Sequence, residues 1–438
     1  MLEQVSFPVD NVNRLGDQLC RWLSSQNVGI ILRSNEYHYG NPLNDNLSRY
    51  QLLAGIGESE TIKSSNSHFQ NLKNHIDRHE WLFGFLGYDL KNEIEKLSSS
   101  NHDGLNFPDM FFYNPKLIFA VNENLLTIHF DGECCSEQSV ENLLDDILQI
   151  PIVQIDNNSD LKFSERFSKK EYLDTIKRII QHIHRGDIYE MNLCQEFYAS
   201  PSTINPYETF INLNGISPTP FSAFGKFNDK YLMCASPERF LQKYGQHIVS
   251  QPIKGTSRRG ATPKDDDLLK EMLITDKKER AENIMIVDLV RNDLSRVAQR
   301  GSVSVDELCG VYPFRQVNQM ISTVSCILDQ TKHPVDAIKA TFPMGSMTGA
   351  PKVMAMQLIE KYEKSRRGLF SGAVGYFTPY GDFDFNVVIR SILYNKTSKY
   401  LSYSVGGAIT ANSVPEKEYE ECLLKASAIE QALRVTYK

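Results

Sequence analysis

Two stretches of this chain pack strand-like runs too closely for anything but antiparallel pairing. From Thr219 to Gly255 the runs TPFSAFGKF, YLMCASPERFLQ and HIVSQPIKG are separated by three and four residues. From Gly372 to Thr410 the runs GAVGYFTPY, FDFNVVIRSILY and YLSYSVGGAIT follow with similarly short breaks. Parallel neighbours need a crossover of a dozen or more residues, which these breaks do not supply. Helical signals lie between such runs. Ser168 and Glu171 form a capping box, followed by an apolar stripe of Tyr172, Ile176, Ile179, Ile180 and Ile183, with Gly186 as the stop. A second long helix is expected over TDKKERAENIMIVDLVRNDLSRVAQRG, closed by Gly301, and a last one after Ser413, capped by Ser413 and Glu416. Hairpin-like strands with helices outside give an α+β chain.

Residues 1–150 and 165–438 are two regions, joined by the polar stretch PIVQIDNNSDLKFSERF. The 438 residues, 41% of them hydrophobic, suffice for a large core. A net charge of −7 argues against a nucleic-acid partner. No run reaches the length of a membrane span, and the N-terminus has no apolar signal core, so a cytoplasmic protein is expected. The eight cysteines are scattered without a C-x-x-C pair, which fits free thiols in a reducing compartment. His75 and His79 in HIDRH lack the glutamate of a zinc motif and are expected on a solvated helix face.

Two helices each carry glutamates three apart: Glu279 with Glu282, and Glu418 with Glu421. That spacing puts each pair on one helix face. Either both faces are simply solvated, or four carboxylates without interleaved lysines surround a hard cation such as Mg²⁺. GSMTGAPK offers backbone N–H groups and a helix start to an anion, and SVGGAIT offers bare backbone. Arg390 interrupts an apolar strand, as an edge residue or as the partner of a buried anion. Lys254, between Pro252 and Gly255, is either a solvated lysine beside a turn or a held nucleophile. A metal site, anion-binding backbone and an arginine would together suit a small polycarboxylate.

SPERF, PIKGTSRRG, AENIMIVDLVRNDLSRV, FPMGSMTGAPK, GAVGYF, VVIRS and SVPEKEYEEC occur in that order over residues 236–422. They resemble the chorismate-utilising family, which includes anthranilate synthase component I, aminodeoxychorismate synthase component I and isochorismate synthases. GFLGYDL and FPDMFFYNP resemble the N-terminal region of the two amine-forming branches. The resemblance implies two packed, largely antiparallel sheets with helices outside. It implies Glu282 and Glu421 as direct Mg²⁺ ligands, with Glu279 and Glu418 holding metal-bound water. It implies that Arg390 and Gly406 take the substrate carboxylates, and that Ser346, Thr348, Gly349, Gly407 and Thr256 belong to the same binding region.

PIKGT and GSMTGAPK resemble the aminodeoxychorismate branch, and Phe370, where anthranilate synthases have tyrosine, points the same way. Glu190, a catalytic candidate with Lys254, stands where isochorismate synthases have a water-activating lysine and many amine-forming members have glutamine, which leaves open whether a second acid or base acts. Gln319 stands where many members have histidine. The resemblance implies that Lys254 attacks C2 of chorismate and expels the C4 hydroxyl, and that ammonia then adds at C4. Splitting one displacement into two lowers the barrier of each. No glutaminase nucleophile is evident, so ammonia is expected from a separate glutamine amidotransferase subunit. The expected activity is formation of 4-amino-4-deoxychorismate. The alternatives are anthranilate synthase component I and a non-catalytic subunit that binds chorismate or tryptophan. Ser34 lies where some relatives bind tryptophan, although a place in a buried strand is the simpler reading.

Overall fold

A computed structural model describes residues 2–35, 37, 50–62, 67–152 and 161–435. Much of the expected polar connection, residues 153–160, lies outside them. The named strands pair antiparallel throughout, as the short breaks require. One run of neighbours is Glu190–Ala199, Tyr400–Ile409, Ser391–Asn395, Lys230–Ser236, Phe221–Phe227, Val28–Arg33, Leu52–Ile62 and Met110–Asn122, continuing to Leu125–Asp131 and Leu2–Pro8. A second run also starts on Met110–Asn122. It proceeds through Leu82–Leu86, Ala373–Phe377, Phe383–Asn386, Arg239–Tyr244 and His247–Gln251 to Val317–Ile327, which also pairs Ile253–Arg258 and Ser304–Pro313. The two expected sheets are therefore two halves of one hydrogen-bonded sheet, joined where Met110–Asn122 pairs with Leu82–Leu86 at one end and Leu125–Asp131 at the other.

Side-chain alternation places the cores. Val28 and Ile30 pack with Phe83, Phe85, Leu232, Val374 and Leu393 between the halves, whereas Ile31 points the other way. Helices cover the outer faces. Val12–Leu23, Lys169–Arg185 and Pro415–Leu433 lie on one half, and His68–Ile76 and Lys277–Ser295 on the other. Strands from residues 28–33 and 82–86 pair with strands 221–227 and 373–377, so the two regions of the chain share one sheet.

The capping box at Ser168 forms as expected, and Gly186 closes its helix at φ 84°. The Ser413 box does not form. Pro415 opens that helix with Val414 as its cap, and the Ser413 hydroxyl instead accepts from the Thr410 N–H at 3.0 Å. The helix bearing Glu279 and Glu282 ends at Ser295, ahead of Gly301.

Candidate active site

The site forms where neighbouring strands leave one half of the sheet for the other. Lys230–Ser236 belongs to the first half and Arg239–Tyr244 to the second, with Pro237 and Glu238 at the break. Beside it, Phe383–Asn386 belongs to the second half and Ser391–Asn395 to the first. The run FDFNVVIRSILY is thus not one strand, and Arg390 is not strand-interior. It lies in the break with φ 50°, a left-handed conformation that ends strand geometry. The two breaks are stitched together: the Val387 N–H donates to the Glu238 carbonyl at 3.0 Å, and the Ala235 N–H to the Arg390 carbonyl at 3.1 Å. Two chains parting at one level leave a cavity of about 530 Å³. Its wall includes Lys254, Glu238, Ser346, Arg390, Gly406 and the four predicted glutamates.

Lys254 is in neither a turn nor an ordinary strand position. Strand Ile253–Arg258 pairs with Val317–Ile327 in a register that shifts between Ile253 and Thr256, so Lys254 and Gly255 form a bulge. A bulge re-aims the side chain it carries. Gly255 adopts φ 99°, and a methyl group there would stand 3.3 Å from Glu279 Oε2, so glycine suits both the bulge and the approach of that carboxylate. Asn283, next to Glu282 on the same helix, donates to the Lys254 carbonyl at 3.1 Å. The Lys254 side chain is 10% exposed, and its Nζ lies 3.8 Å from Oε1 of Glu190, which is wholly buried. Burial raises the Glu190 carboxyl pKa, and the Lys254 charge opposes that rise. Glu238 is buried too. Desolvation lifts its carboxyl to about 7, against a hydrogen bond from Ser346 and the charge of Lys254. Glu238 was not singled out from the sequence. The proline before it, between two strand runs, was the available signal.

The two glutamate pairs do face the same cavity. Their carboxylates all act on the ammonium of Lys278, whose pKa they raise against the opposing effect of burial. Burial lifts the Glu282 carboxyl to about 7, the nearby lysines opposing, and also raises Glu279 and Glu418. At Glu421 burial is outweighed, and Lys425, 2.7 Å away, holds the carboxyl below its usual value. Lysines therefore are interleaved, contrary to the reading of the sequence: Lys278 lies 3.7 Å from Glu282 and Lys425 pairs with Glu421. Both pairs are spaced four apart, a helix signal that was present in the sequence. Among the described residues no three acidic, imidazole or thiol groups converge tightly enough to hold a metal ion unaided. Glu282 Oε1 is nevertheless buried without a hydrogen-bond partner.

The remaining predicted residues divide. Thr256 lines the cavity, paired across the strands with Gln319, and Phe370 lines it as well. Ser346 reaches Glu238, and the Ser346 carbonyl accepts from Asn192 at 2.8 Å. Gly406 stands opposite Cys194, and its carbonyl accepts from Lys425 at 3.1 Å. A methyl group on Gly407 would stand 3.6–3.9 Å from Lys425 Nζ, Glu418 Oε2 and Glu421 Oε1, so this glycine floors the carboxylate cluster. Thr348 and Gly349 lie behind the wall rather than in it. The Thr348 hydroxyl donates to the carbonyls of Met344 and Gly345, and Gly349 pairs with Met191. At the helix after Pro351, Lys352 is bound to Asp293. Burial lowers the Arg390 pKa, partly offset by Glu421. His75 bonds the Asn71 carbonyl and His79 that of Pro379, so they share no ligand. Ser34 bonds the Gln51 carbonyl beside a separate cavity of about 60 Å³.

The profile of the chorismate binding enzymes matches residues 38–431. The chain belongs to that family. It is 32% identical to aminodeoxychorismate synthase component 1 of Bacillus subtilis over 86% of this chain and 83% of that one. It is 34% identical to anthranilate synthase component 1 of Thermus thermophilus over 80% of this chain and 77% of that one. The crystal structure of anthranilate synthase component I from Streptococcus pneumoniae superposes with a TM-score of 0.71 at 25% identity, covering 97% of this chain and 92% of that one. Family membership thus stands, while overall identity does not separate the two amine-forming activities. No helix among the described residues is long and apolar enough to cross a membrane.

Proposed function

We propose that this chorismate-family chain converts chorismate and ammonia to 4-amino-4-deoxychorismate. The observation that carries the reading is the Lys254 amine, aimed by a bulge into the cavity with a buried carboxylic acid in the same wall. The Lys254 lone pair attacks C2, the two ring double bonds shift, and the C4–O bond breaks. Glu238, whose carboxyl burial lifts to about 7, gives the departing hydroxyl its proton. Ammonia then attacks C4, the double bonds shift back, and the C2–N bond to lysine breaks. Arg390 and the Gly406 backbone hold the substrate carboxylates. An anthranilate synthase would need no lysine nucleophile in the wall, so Lys254 favours the aminodeoxychorismate reading.

The residues present fit a Mg²⁺ ion that arrives with substrate. Mg²⁺ commonly takes one or two carboxylates and completes its shell with water and ligand oxygens, so a fully closed protein site is not required. Glu282, whose buried Oε1 accepts no hydrogen bond, and Glu421 would be the direct ligands, with Glu279 and Glu418 holding its waters. When bound, the ion fixes the ring carboxylate and draws electron density from the conjugated ring. Lys278 and Lys425 pair with Glu282 and Glu421 and offset part of the repulsion among these carboxylates.

Ammonia would come from a separate glutamine amidotransferase. The chain is therefore expected to consume chorismate with ammonium and Mg²⁺, to stop in excess chelator, and not to use glutamine alone. Glu282→Ala is expected to lose more than about 99% of that rate, on the scale of a lost metal ligand or its support. Undiminished turnover in chelator removes the Mg²⁺ assignment, and turnover on glutamine alone removes the separate subunit.

A further inference from the structure

Glu190 is the least expected charge in the fold. Its side chain is 0% exposed, and neither carboxylate oxygen has a hydrogen-bond partner. Buried carboxylates are ordinarily paired or hydrogen-bonded, because an unpartnered one costs its full desolvation. The one charged group within 4 Å among the described residues is the Lys254 ammonium, at 3.8 Å. Lys254 lines the cavity and Glu190 does not, so the lysine stands between the carboxylate and any bound substrate. The start of strand Glu190–Ala199 fixes this placement. Glu190 pairs with Ala350, and Asn192, two residues on and therefore on the same face, lines the cavity.

We propose that Glu190 is the proton acceptor and donor for Lys254. The inference rests on the reading of Lys254 as the nucleophile. The ammonium of Lys254 passes one proton to the Glu190 carboxylate, giving a neutral amine and a neutral acid. The amine lone pair then forms the bond to C2, and the C4 hydroxyl leaves with a proton from Glu238. The new secondary ammonium sheds its extra proton to the Glu238 carboxylate. When ammonia has bonded to C4, the lysine nitrogen leaves C2 with the proton held by Glu190, and the C4 ammonium gives up one proton, which returns Lys254 to its ammonium form. The net change is chorismate plus ammonia to aminodeoxychorismate plus water.

The surroundings suit this role. Burial increases the proton affinity of Glu190, as a base acting near neutral pH requires. Glu282, on the helix packed against the Lys254 strand, shares the cavity wall with the lysine. Glu238 acts on the same lysine from the strand break. A neutral Glu190 beside a neutral Lys254 also removes the unpartnered buried charge at the moment of attack.

The test is the rate at which the adduct forms on Lys254. Enzyme, chorismate and Mg²⁺ are mixed without ammonium, quenched over time at pH 6 to 9.5, and read by intact-protein mass spectrometry. Ionisation of Glu238 above about pH 7 withdraws the acid from every variant alike, so each rate is read relative to the wild type at the same pH. Glu190→Gln keeps the shape but not the base. It should form the adduct about 100-fold more slowly than the wild type at pH 7, within the range of general-base effects, and that deficit should shrink into the alkaline range, where solvent can take the Lys254 proton. Glu190→Asp keeps a carboxylate and should retain the wild-type pH profile at a reduced rate. Equal rates and profiles in wild type and Glu190→Gln, or an Asp variant that matches Gln, overturn the proposal while leaving Lys254 as nucleophile. A wild type that never forms the adduct overturns the reading of Lys254 itself.

Discussion

Lys254→Ala is expected to lower aminodeoxychorismate formation by at least about 1,000-fold, the scale on which removal of a covalent nucleophile acts. The KM for chorismate should change little, because in the proposed arrangement Arg390, the Gly406 backbone and a cation on the paired glutamates, not the lysine, would take the substrate carboxylates. Wild type held with chorismate and Mg²⁺ should gain the mass of chorismate less water on Lys254, and the variant should not. With the amine gone, ammonia could reach C2 directly, and traces of an anthranilate-type product are expected. A variant that keeps the adduct or the full rate would make Lys254 a bystander. The prediction depends on backbone as much as on chemistry. The bulge at Lys254–Gly255 and the Asn283 bond to the Lys254 carbonyl fix where the amine points.

Arg367→Leu should give the largest loss of stability. Arg367 and Glu363 are 3% and 4% exposed and meet through two hydrogen bonds of 2.6 and 2.9 Å. Arg367 also donates to the Met347 carbonyl at 2.7 Å and lies 4.6 Å over the Tyr88 ring, while Glu363 accepts from the Cys194 N–H at 2.9 Å. Removing one partner leaves the other buried and charged, at a cost of about 3–5 kcal/mol. The urea midpoint should fall accordingly, and Arg367→Leu combined with Glu363→Leu should cost less than the two single changes summed. Simple additivity would mean the pair acts as two independent side chains. Since Met347 and Cys194 line the cavity, the destabilised variant should also bind chorismate more weakly.

What the sequence made legible was local. Short breaks between strands required antiparallel pairing, three-residue spacing put each glutamate pair on one helix face, and Ser168 with Glu171 marked a helix start. The departures arose where distant chain segments set the geometry. VVIR continues an apolar alternation, yet the chain leaves one half of the sheet there, so Arg390 falls in a break that only Glu238, far away in sequence, makes visible. Ser413 has the spacing of a capping box, but the Thr410 backbone competes for its hydroxyl. Met110–Asn122 is long enough to pair with different strands at its two ends, which joins the expected sheets into one. Lys278 and Lys425 stand four residues from Glu282 and Glu421, a helix spacing legible in the sequence. Thr348 and Gly349 sit in a motif that resembles the family's, but the fold turns them toward Met344 and Met191, away from the cavity.

The amination reading stands or falls on the identity of the product. Chorismate, Mg²⁺ and ammonium are incubated with the chain, and the products are separated by chromatography with and without an aminodeoxychorismate lyase. Without the lyase, chorismate should disappear with no pyruvate released; with it, para-aminobenzoate should appear together with an equal amount of pyruvate. Fluorescent anthranilate with an equal amount of pyruvate, formed without the lyase, would contradict it.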